Sequence, residues 1–327
     1  LWTPDDYATI RKTVGALAAQ TVQERLELIL LGPSPESLAV VEGDLDGFAA
    51  YQLIVLDSMA NSAAIRTAGT RAATAPIVAF MQDHAFPVPG WAEALLARYA
   101  EGEYAGVSFV FANDNPKTAT SWCNFLLQYG SWVEPLPPGE TTHIGGHMAS
   151  YRREALLEWG DDLPRKLETS VTMHWEMRQR GLRFATAPGA VVYHQNHSRL
   201  LPSMPLRFQT GRLFAANRTA SWSLARRLLY AAASPLIPLV RLWRVVRQAV
   251  RIGRAALLPR LVPVSLLLLA FDGAGQAWGA LAGRGRAMEW VTGIEWHRHR
   301  FMVEGELSAF SGTPASAREP VAVGGEG

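Results

Sequence analysis

The first 200 residues alternate short apolar runs with segments of helical periodicity, and this alternation is the feature that most constrains the fold. Strands are predicted at 26–31, 52–56, 76–81 and 104–111, and helices at 8–19 and 60–73. Short strands separated by helices of about 10–15 residues are typical of an α/β sheet with mostly parallel strands. Uncharged strands such as 77–80 favour a sheet that is covered on both faces. A further helix is predicted at 164–181, and two short strands at 182–186 and 190–194.

Polar residues follow the third predicted strand at the point where it ends. The strand leads directly into Gln82, Asp83 and His84. In open α/β sheets, ligands bind outside the carboxyl ends of the strands. A carboxylate beside an imidazole at that edge can hold a divalent cation, and mixed oxygen and nitrogen ligands suit Mn²⁺ or Mg²⁺ bridging a diphosphate. The alternative is a strand-end aspartate that forms an Asx-turn next to a surface histidine.

The net charge of +2 hides an uneven distribution along the chain. Residues 199–260 contain twelve arginines and no acidic residue. Within 241–254 the arginines recur every three or four residues, between Leu, Trp, Val and Ile, which predicts a helix that lies in a membrane interface with one basic face. The neighbouring stretches 228–240 and 261–283 are apolar, apart from Asp272. The sequence therefore predicts an anionic membrane surface as a partner.

Other interpretations of this arginine-rich stretch remain open. Its arginines can form a solvated helix face, and its apolar stretches can form the core of a second helical domain or an oligomer contact. Nucleic acid is not predicted as a partner, because the arginines alternate with bulky aliphatic residues rather than with stacking aromatic residues. With the membrane interpretation, the expected location is the cytoplasmic face of the cell membrane, with the protein peripheral or re-entrant.

Composition also predicts the domain organisation. We expect an α/β domain over 1–205, an arginine-rich apolar helical region over 206–300, and a disordered tail over 301–327 that is rich in Gly, Ser, Ala and Pro. The single cysteine, Cys123, excludes an intramolecular disulfide framework and a Cys-rich metal site. No pattern typical of a signal peptide begins the given sequence.

Four blocks in a fixed order make residues 3–205 resemble the family 2 glycosyltransferases of the GT-A fold. The first block has a helix with Arg and Gly, followed by an apolar strand and an acidic motif. The second is an acceptor-side segment, the third is a helix with a catalytic acid, and the fourth is a strand that ends in His. In this sequence the blocks read NSAAIRTAGTRAATAPIVAFMQDH (61–84), GGHMASYRREAL (145–156), LETSVTMHWEMRQRG (167–181) and ATAPGAVVYHQNHS (185–198).

The resemblance implies a metal-dependent, inverting glycosyltransferase that uses a nucleotide-sugar donor. It implies that Glu168 is the catalytic base. The residues expected to bind the donor are Arg66, Gly69, Gln82, Asp83 and His147, and those expected to bind Mg²⁺ or Mn²⁺ are Asp83, His84 and His194.

The chain departs from the family pattern at several positions. Gln82-Asp83-His84 replaces the usual D-x-D motif, Thr67 stands where the family usually has Asn, and Thr169 follows Glu168 where the family usually has Asp. The usual first strand of the family would come before Leu1.

The function expected from these features is transfer of a sugar to a saccharide or lipid-linked acceptor of the cell envelope. One alternative is a catalytically degenerate protein that binds a nucleotide sugar or acts as a scaffold at the membrane. A nucleotidyltransferase is a third possibility, but the sequence contains no Gly-rich phosphate loop near a strand end.

Overall fold

The computed structural model of the protein describes residues 1–136, 139–296, 298–303 and 306. The strands in these residues are β1 (Glu27–Gly32), β2 (Ala50–Val55), β3 (Ile77–Ala79), β4 (Ala85–Pro87), β5 (Tyr104–Asn113), β6 (Gly139–Thr141), β7 (Ser150–Arg152) and β8 (Arg183–His194). The helices are α1 (Tyr7–Ala18), α2 (Ser62–Ala72), α3 (Trp91–Ala100), α4 (Ala119–Tyr129), α5 (Arg153–Leu157), α6 (Leu163–Glu168), α7 (Ser170–Gln179), α8 (Leu200–Arg218), α9 (Leu224–Ala233), α10 (Ile237–Arg251), α11 (Leu258–Ala282) and α12 (Ala287–Trp296).

The strands form two sheets. β1 and β2 are a parallel pair, and the other strands form a sheet in the order β3–β7–β5–β8–β4, with β6 also paired to β8. The predicted α/β fold class, with a GT-A-like sheet flanked by helices and a C-terminal helical region, is confirmed. The strands run parallel in the β1–β2 and β5–β8 ladders, whereas the remaining ladders are antiparallel. The prediction of mostly parallel strands is therefore wrong, because the short strands β3, β4, β6 and β7 pair antiparallel with their neighbours.

An aromatic cluster on β5 forms the centre of the core. Phe109 packs edge to face on Trp91, with ring centroids 5.1 Å apart. Phe111 stacks on Tyr129 at 4.1 Å, and all four of these side chains are buried. These contacts fix the end of α4 against the sheet. They therefore place the Tyr129 hydroxyl at the end of β8.

Two predicted elements differ from those in the structure. The strands predicted at 182–186 and 190–194 are one long strand, β8, in which Gly189 adopts a φ of +90° that favours glycine. The helix predicted at 164–181 is broken at Thr169, whose φ of −138° and ψ of 81° are not helical. Glu168 therefore lies at the end of α6. A single helix over 164–181 would have placed it near the first turn instead.

The first residues of the chain lie against β1. Thr3 N donates to Leu31 O at 2.9 Å, and Leu31 N donates to Leu1 O at 3.1 Å. Beside them, an apolar cavity of about 290 Å³ separates β1 from β3. The strand expected before Leu1 falls outside the given sequence and stays a prediction.

The helical region packs directly on the sheet domain. α8 begins at Leu200 and crosses the domain boundary predicted at residue 205. Cys123 Sγ lies 3.2 Å from Ser265 Oγ, and Val245, Leu261 and Leu268 are buried in the same core cluster as the β5 aromatics. Of the tail predicted at 301–327, residues 304, 305 and 307–327 lie outside the described residues.

Glycines allow α8 and α11 to pack closely. A Cβ atom at Gly275 would lie 2.0 Å from Phe208 O, and one at Gly279 would lie 2.1 Å from Arg212 O. A Cβ at Gly211 would lie 2.3 Å from Asp272 O on the opposite helix. Since backbone atoms cannot yield as a flexible side chain can, these glycines set the distance between the two helices.

We predict that Gly279→Ala destabilises the protein, because the added methyl group forces α8 and α11 apart. An overpacked contact of this kind costs about 1–3 kcal/mol, which thermal unfolding would register as a lower Tm. Gly293→Ala is the matched control, since Gly293 is also helical but an added methyl group there would have no atom within 4 Å. Equal Tm values for the two variants would contradict this account of the packing.

Candidate active site

The end of β8 and the loop between β3 and β4 form one site. β4 pairs antiparallel with β8, and Ala85 lies opposite His194. This register brings His84 next to His194, with ring centroids 4.7 Å apart. Asp83, His84 and His194, which the sequence predicts as metal ligands from distant segments, therefore lie together.

Hydrogen bonds fix the proton on each of the two imidazoles. His84 Nδ1 lies 2.5 Å from Asp83 Oδ1, so its Nδ1–H donates to the carboxylate. His194 Nδ1 lies 3.0 Å from Asn196 Oδ1. The Asn196 amide can point only this way, because its Nδ2 donates to Asn113 Oδ1 and to His194 O. Both rings are therefore protonated at Nδ1, and each has a lone pair at Nε2.

These two lone pairs lie close together. The Nε2 atoms of His84 and His194 lie 3.1 Å apart, and Gln82 Oε1 lies 3.3 Å from His194 Nε2. Burial lowers the pKa of both histidines well below the ordinary value, and Arg298 lowers it further, so both rings are neutral. Two buried imidazole acceptors thus converge, with the Gln82 amide beside them.

This donor set fits a divalent cation. Two bonds of about 2.1 Å at right angles place their donor atoms about 3.0 Å apart, close to the observed separation of the two Nε2 atoms. A histidine that binds a metal ion usually donates its other N–H to a carboxylate or carbonyl oxygen, as both rings do here. The described residues contain no group of three His, Cys, Asp or Glu side chains suited to a metal ion. A third donor to such an ion would be the Gln82 amide oxygen, and the Asp83 carboxylate would orient His84 from behind.

His147 lies on the other side of Tyr129. The Tyr129 hydroxyl is 3.2 Å from His147 Nε2 and 3.2 Å from His194 Nε2. Gln128 Nε2 donates to His147 Nε2 at 2.7 Å. Burial, with smaller contributions from Arg66 and Arg298, lowers the pKa of His147 to about 3. His147 is thus a neutral imidazole linked to the two facing histidines through Tyr129.

The predicted donor-side residues on α2 have other contacts. Arg66 is buried, and its Nη2 donates to Leu167 O at 2.7 Å. Burial lowers its pKa to about 10, so it remains a cation at neutral pH. A methyl group at Gly69 would lie 3.4 Å from Leu31 Cδ1, so Gly69 faces β1. Arg66 thus holds the backbone immediately before Glu168, and Gly69 lies against β1.

Glu168 has one engaged and one unengaged oxygen. Its Oε1 forms an ion pair with Arg284, from the loop after α11. Its Oε2 is buried and has no hydrogen-bond partner among the described residues. The side chain as a whole is 5% exposed. A carboxylate fixed through one oxygen in this way leaves the other available to accept a proton.

Sequence reasoning missed Asn196, Tyr129 and Arg298. The Arg298 guanidinium is buried, donates to Gln195 O at 2.7 Å and pairs with Glu295. Its Nε has no partner among the described residues. The segment around it is held against β8, because Ser198 N and Arg199 N both donate to Phe301 O. The only sequence signal for Arg298 is the alternation of His and Arg at 297–300, which has no fixed spacing from the other site residues.

Comparison with known proteins identifies the sheet domain. Residues 5–160 match the family described as glycosyl transferase family 2. The chain carries a family 2 glycosyltransferase domain. The predicted family and the predicted enzyme class, glycosyltransferase, are confirmed. The match ends before α6 and β8, so the positions of Glu168 and His194 come from the structure alone.

Two proteins of known structure align with this chain. One is GalNAc-T7 with UDP, GalNAc and Mn²⁺, at 14% identity and a TM-score of 0.45; the alignment covers 59% of this chain and 42% of that chain. The other is residues 1–349 of S. aureus TarS, with UDP and without it, at 14% identity and TM-scores of 0.46 and 0.47. Each of these alignments covers 86% of this chain and 90% of that chain. No curated protein sequence matches the chain.

We predict that Asp83→Leu weakens Mn²⁺ binding about 10–100-fold, the usual effect of removing such an orienting partner. Without the carboxylate, His84 is free to carry its proton on Nε2 and to lose the lone pair that faces His194. Calorimetric titration with Mn²⁺ measures the change, and Asp161→Leu is the control because its side chain is fully exposed. If both variants bind Mn²⁺ as the wild type does, Asp83 does not support a cation site.

Proposed function

We propose that this family 2 glycosyltransferase is metal-dependent and inverting, and that it transfers a sugar from a nucleotide-sugar donor to a saccharide or lipid-linked acceptor of the cell envelope. The observation that carries the proposal is the close approach, at the end of β8, of two neutral imidazoles, His84 and His194, each with a lone pair at Nε2. Buried acceptors in that arrangement are stabilised by a cation, and a cation beside a diphosphate is what this chemistry requires.

His84 Nε2, His194 Nε2 and Gln82 Oε1 would hold the cation. When bound, it supplies positive charge next to the leaving nucleoside diphosphate. Mg²⁺ prefers an all-oxygen ligand set, whereas two imidazoles suit softer divalent ions. Of the two predicted ions, Mn²⁺ therefore fits this site better than Mg²⁺.

Arg298 contributes a second positive charge at the same place. It is close enough to His84, His147 and His194 to lower the pKa of all three. A buried guanidinium with an unpartnered Nε–H can donate to a phosphate oxygen, and charge-assisted bonds of this kind are among the stronger hydrogen bonds in proteins. In the proposed reaction Arg298 binds the donor diphosphate and neutralises charge as the bond to the sugar breaks.

Glu168 is the proposed general base. Its unpartnered Oε2 accepts the proton of the acceptor hydroxyl as that oxygen attacks the anomeric carbon of the donor. The attack breaks the bond to the diphosphate, which leaves with both electrons of that bond, and a single displacement inverts the anomeric centre. Arg284 orients the carboxylate through Oε1, and Arg66 fixes the adjoining backbone at Leu167.

The catalytically degenerate alternative rests on the Glu168–Arg284 ion pair. In this alternative, the paired carboxylate joins α6 to the helical region and has no part in catalysis. A protein of that kind would bind a nucleotide sugar without transferring the sugar. Substitution at Glu168 separates the two interpretations, because a structural ion pair and a general base respond differently to loss of charge.

We predict that Glu168→Gln retains nucleotide-sugar binding but loses at least about 100-fold in the rate of transfer, the usual contribution of a general base. The amide cannot take up the proton of the acceptor hydroxyl. Donor binding by calorimetry and turnover with a saccharide acceptor measure the two effects. Glu176→Gln is the matched control, since Glu176 forms an ion pair with Lys166 on α6. Turnover near the wild-type rate in Glu168→Gln would remove Glu168 as the base.

A further inference from the structure

α9 and α10 turn an apolar face away from the rest of the protein. On α10, Leu239 is 60% exposed and Trp243 is 59% exposed, and their spacing of four residues puts them on one side of the helix. α9 has no buried residue at all. The exposed residues form an apolar patch that consists of Leu224, Leu228, Leu229, Leu236, Leu239, Val240 and Trp243.

Two arginines of α10 fasten that helix to the protein. Arg241 forms an ion pair with the buried Asp272 of α11. Arg251 donates to the carbonyl oxygens of Gly130, Val133 and Pro135. The basic face of 241–254, which the sequence predicts at the membrane, is therefore partly turned inward. These contacts fix the orientation of α10 and leave its apolar residues facing outward.

Other arginines border the apolar patch and carry exposed positive charge. Arg226, Arg244 and Arg247 are exposed, and none forms a salt bridge within the part of the chain that the structure describes. Arg247 lies over the Trp243 ring at 5.1 Å. With no acidic residue from 199 to 260, this surface is complementary to a negatively charged partner.

The contacts of the helices with the rest of the protein favour a position on a membrane rather than across it. Leu224–Arg251 and Ala255–Ala282 are long and apolar enough to cross a bilayer by length and composition alone. In the first, the 3-10 turn Ser234–Leu236 joins α9 to α10, and Arg241 and Arg251 hold α10 against the protein, so that only its outward face can meet a bilayer. The second contains α11, which buries Asp272 and Gln276 against the rest of the protein.

We propose that the apolar patch of α9 and α10 inserts into the surface of a lipid bilayer that contains anionic phospholipids. The leucines and Trp243 enter the boundary between headgroups and acyl chains, as the apolar face of an interfacial helix does. Arg226, Arg244 and Arg247 lie at the level of the phosphates. Anionic lipids are characteristic of the cytoplasmic leaflet, which is therefore the proposed location. The proposal rests on the helical region and holds independently of sugar transfer.

Co-sedimentation with vesicles tests the proposal. We expect the wild-type protein to bind vesicles of phosphatidylcholine mixed with phosphatidylglycerol more tightly than vesicles of phosphatidylcholine alone. The triple variant Leu229→Ser, Leu239→Ser, Trp243→Ser should lose at least tenfold in partitioning to both vesicles. The double variant Arg244→Gln, Arg247→Gln should lose affinity only for the anionic vesicles. Tyr51→Ser with Leu53→Ser is the control, because these side chains are exposed on β2.

A fluorophore that is sensitive to polarity reports on insertion directly. Attached to Trp243→Cys, it should brighten when anionic vesicles are added, whereas the same label on Tyr51→Cys should not respond. The native Cys123 is fully buried and does not compete for the label. Wild-type protein that stays in the supernatant with both vesicles overturns the proposal, as does a triple variant that sediments like the wild type. Light scattering that shows a dimer in the wild type and a monomer in the triple variant would assign the patch to a second copy of the chain instead.

Discussion

The site depends on where two protons lie. Asp83 holds one on Nδ1 of His84, and Asn196 holds the other on Nδ1 of His194. Each imidazole is then left with a lone pair at Nε2, and the β4–β8 register brings these lone pairs to 3.1 Å. Two neutral acceptors this close repel each other unless a cation or a donated proton lies between them. The Tyr129 hydroxyl can supply one proton, and a divalent cation is the occupant that we propose.

The rest of the structure keeps this site buried. The stack of Phe111 on Tyr129 fixes the hydroxyl at the end of β8. Arg298 reaches the site from a segment that follows α12, and Arg284 reaches Glu168 from the loop after α11. The helical region therefore does more than cover the sheet, because its Arg284 pairs with Glu168. The close packing of α8 and α11 holds that region in place.

Much of the sheet domain could be predicted from the sequence, because strand periodicity and strand-end polar residues are local signals. They place Asp83, His84 and His194 at sheet edges, but they cannot show that Asp83 turns to Nδ1 of His84 while Gln82 faces the lone pairs. The break at Thr169 carried no glycine or proline signal. The orientation of α10 also could not be predicted from the sequence. Arg241 points inward because it pairs with the buried Asp272, which is 31 residues away in the chain. Partners so distant in the chain leave no periodic pattern.

Calorimetric binding of nucleoside diphosphates is the most direct test of a cation-dependent donor site. UDP, GDP and dTDP would each be titrated into the wild-type protein, once with Mn²⁺ and once with a chelator. We predict that one of them binds in Mn²⁺ and that its binding is lost in the chelator, because the charge of the diphosphate is then opposed only by Arg298. Binding of equal affinity in the chelator, or no binding of any of the three to folded protein, would contradict a cation-dependent site.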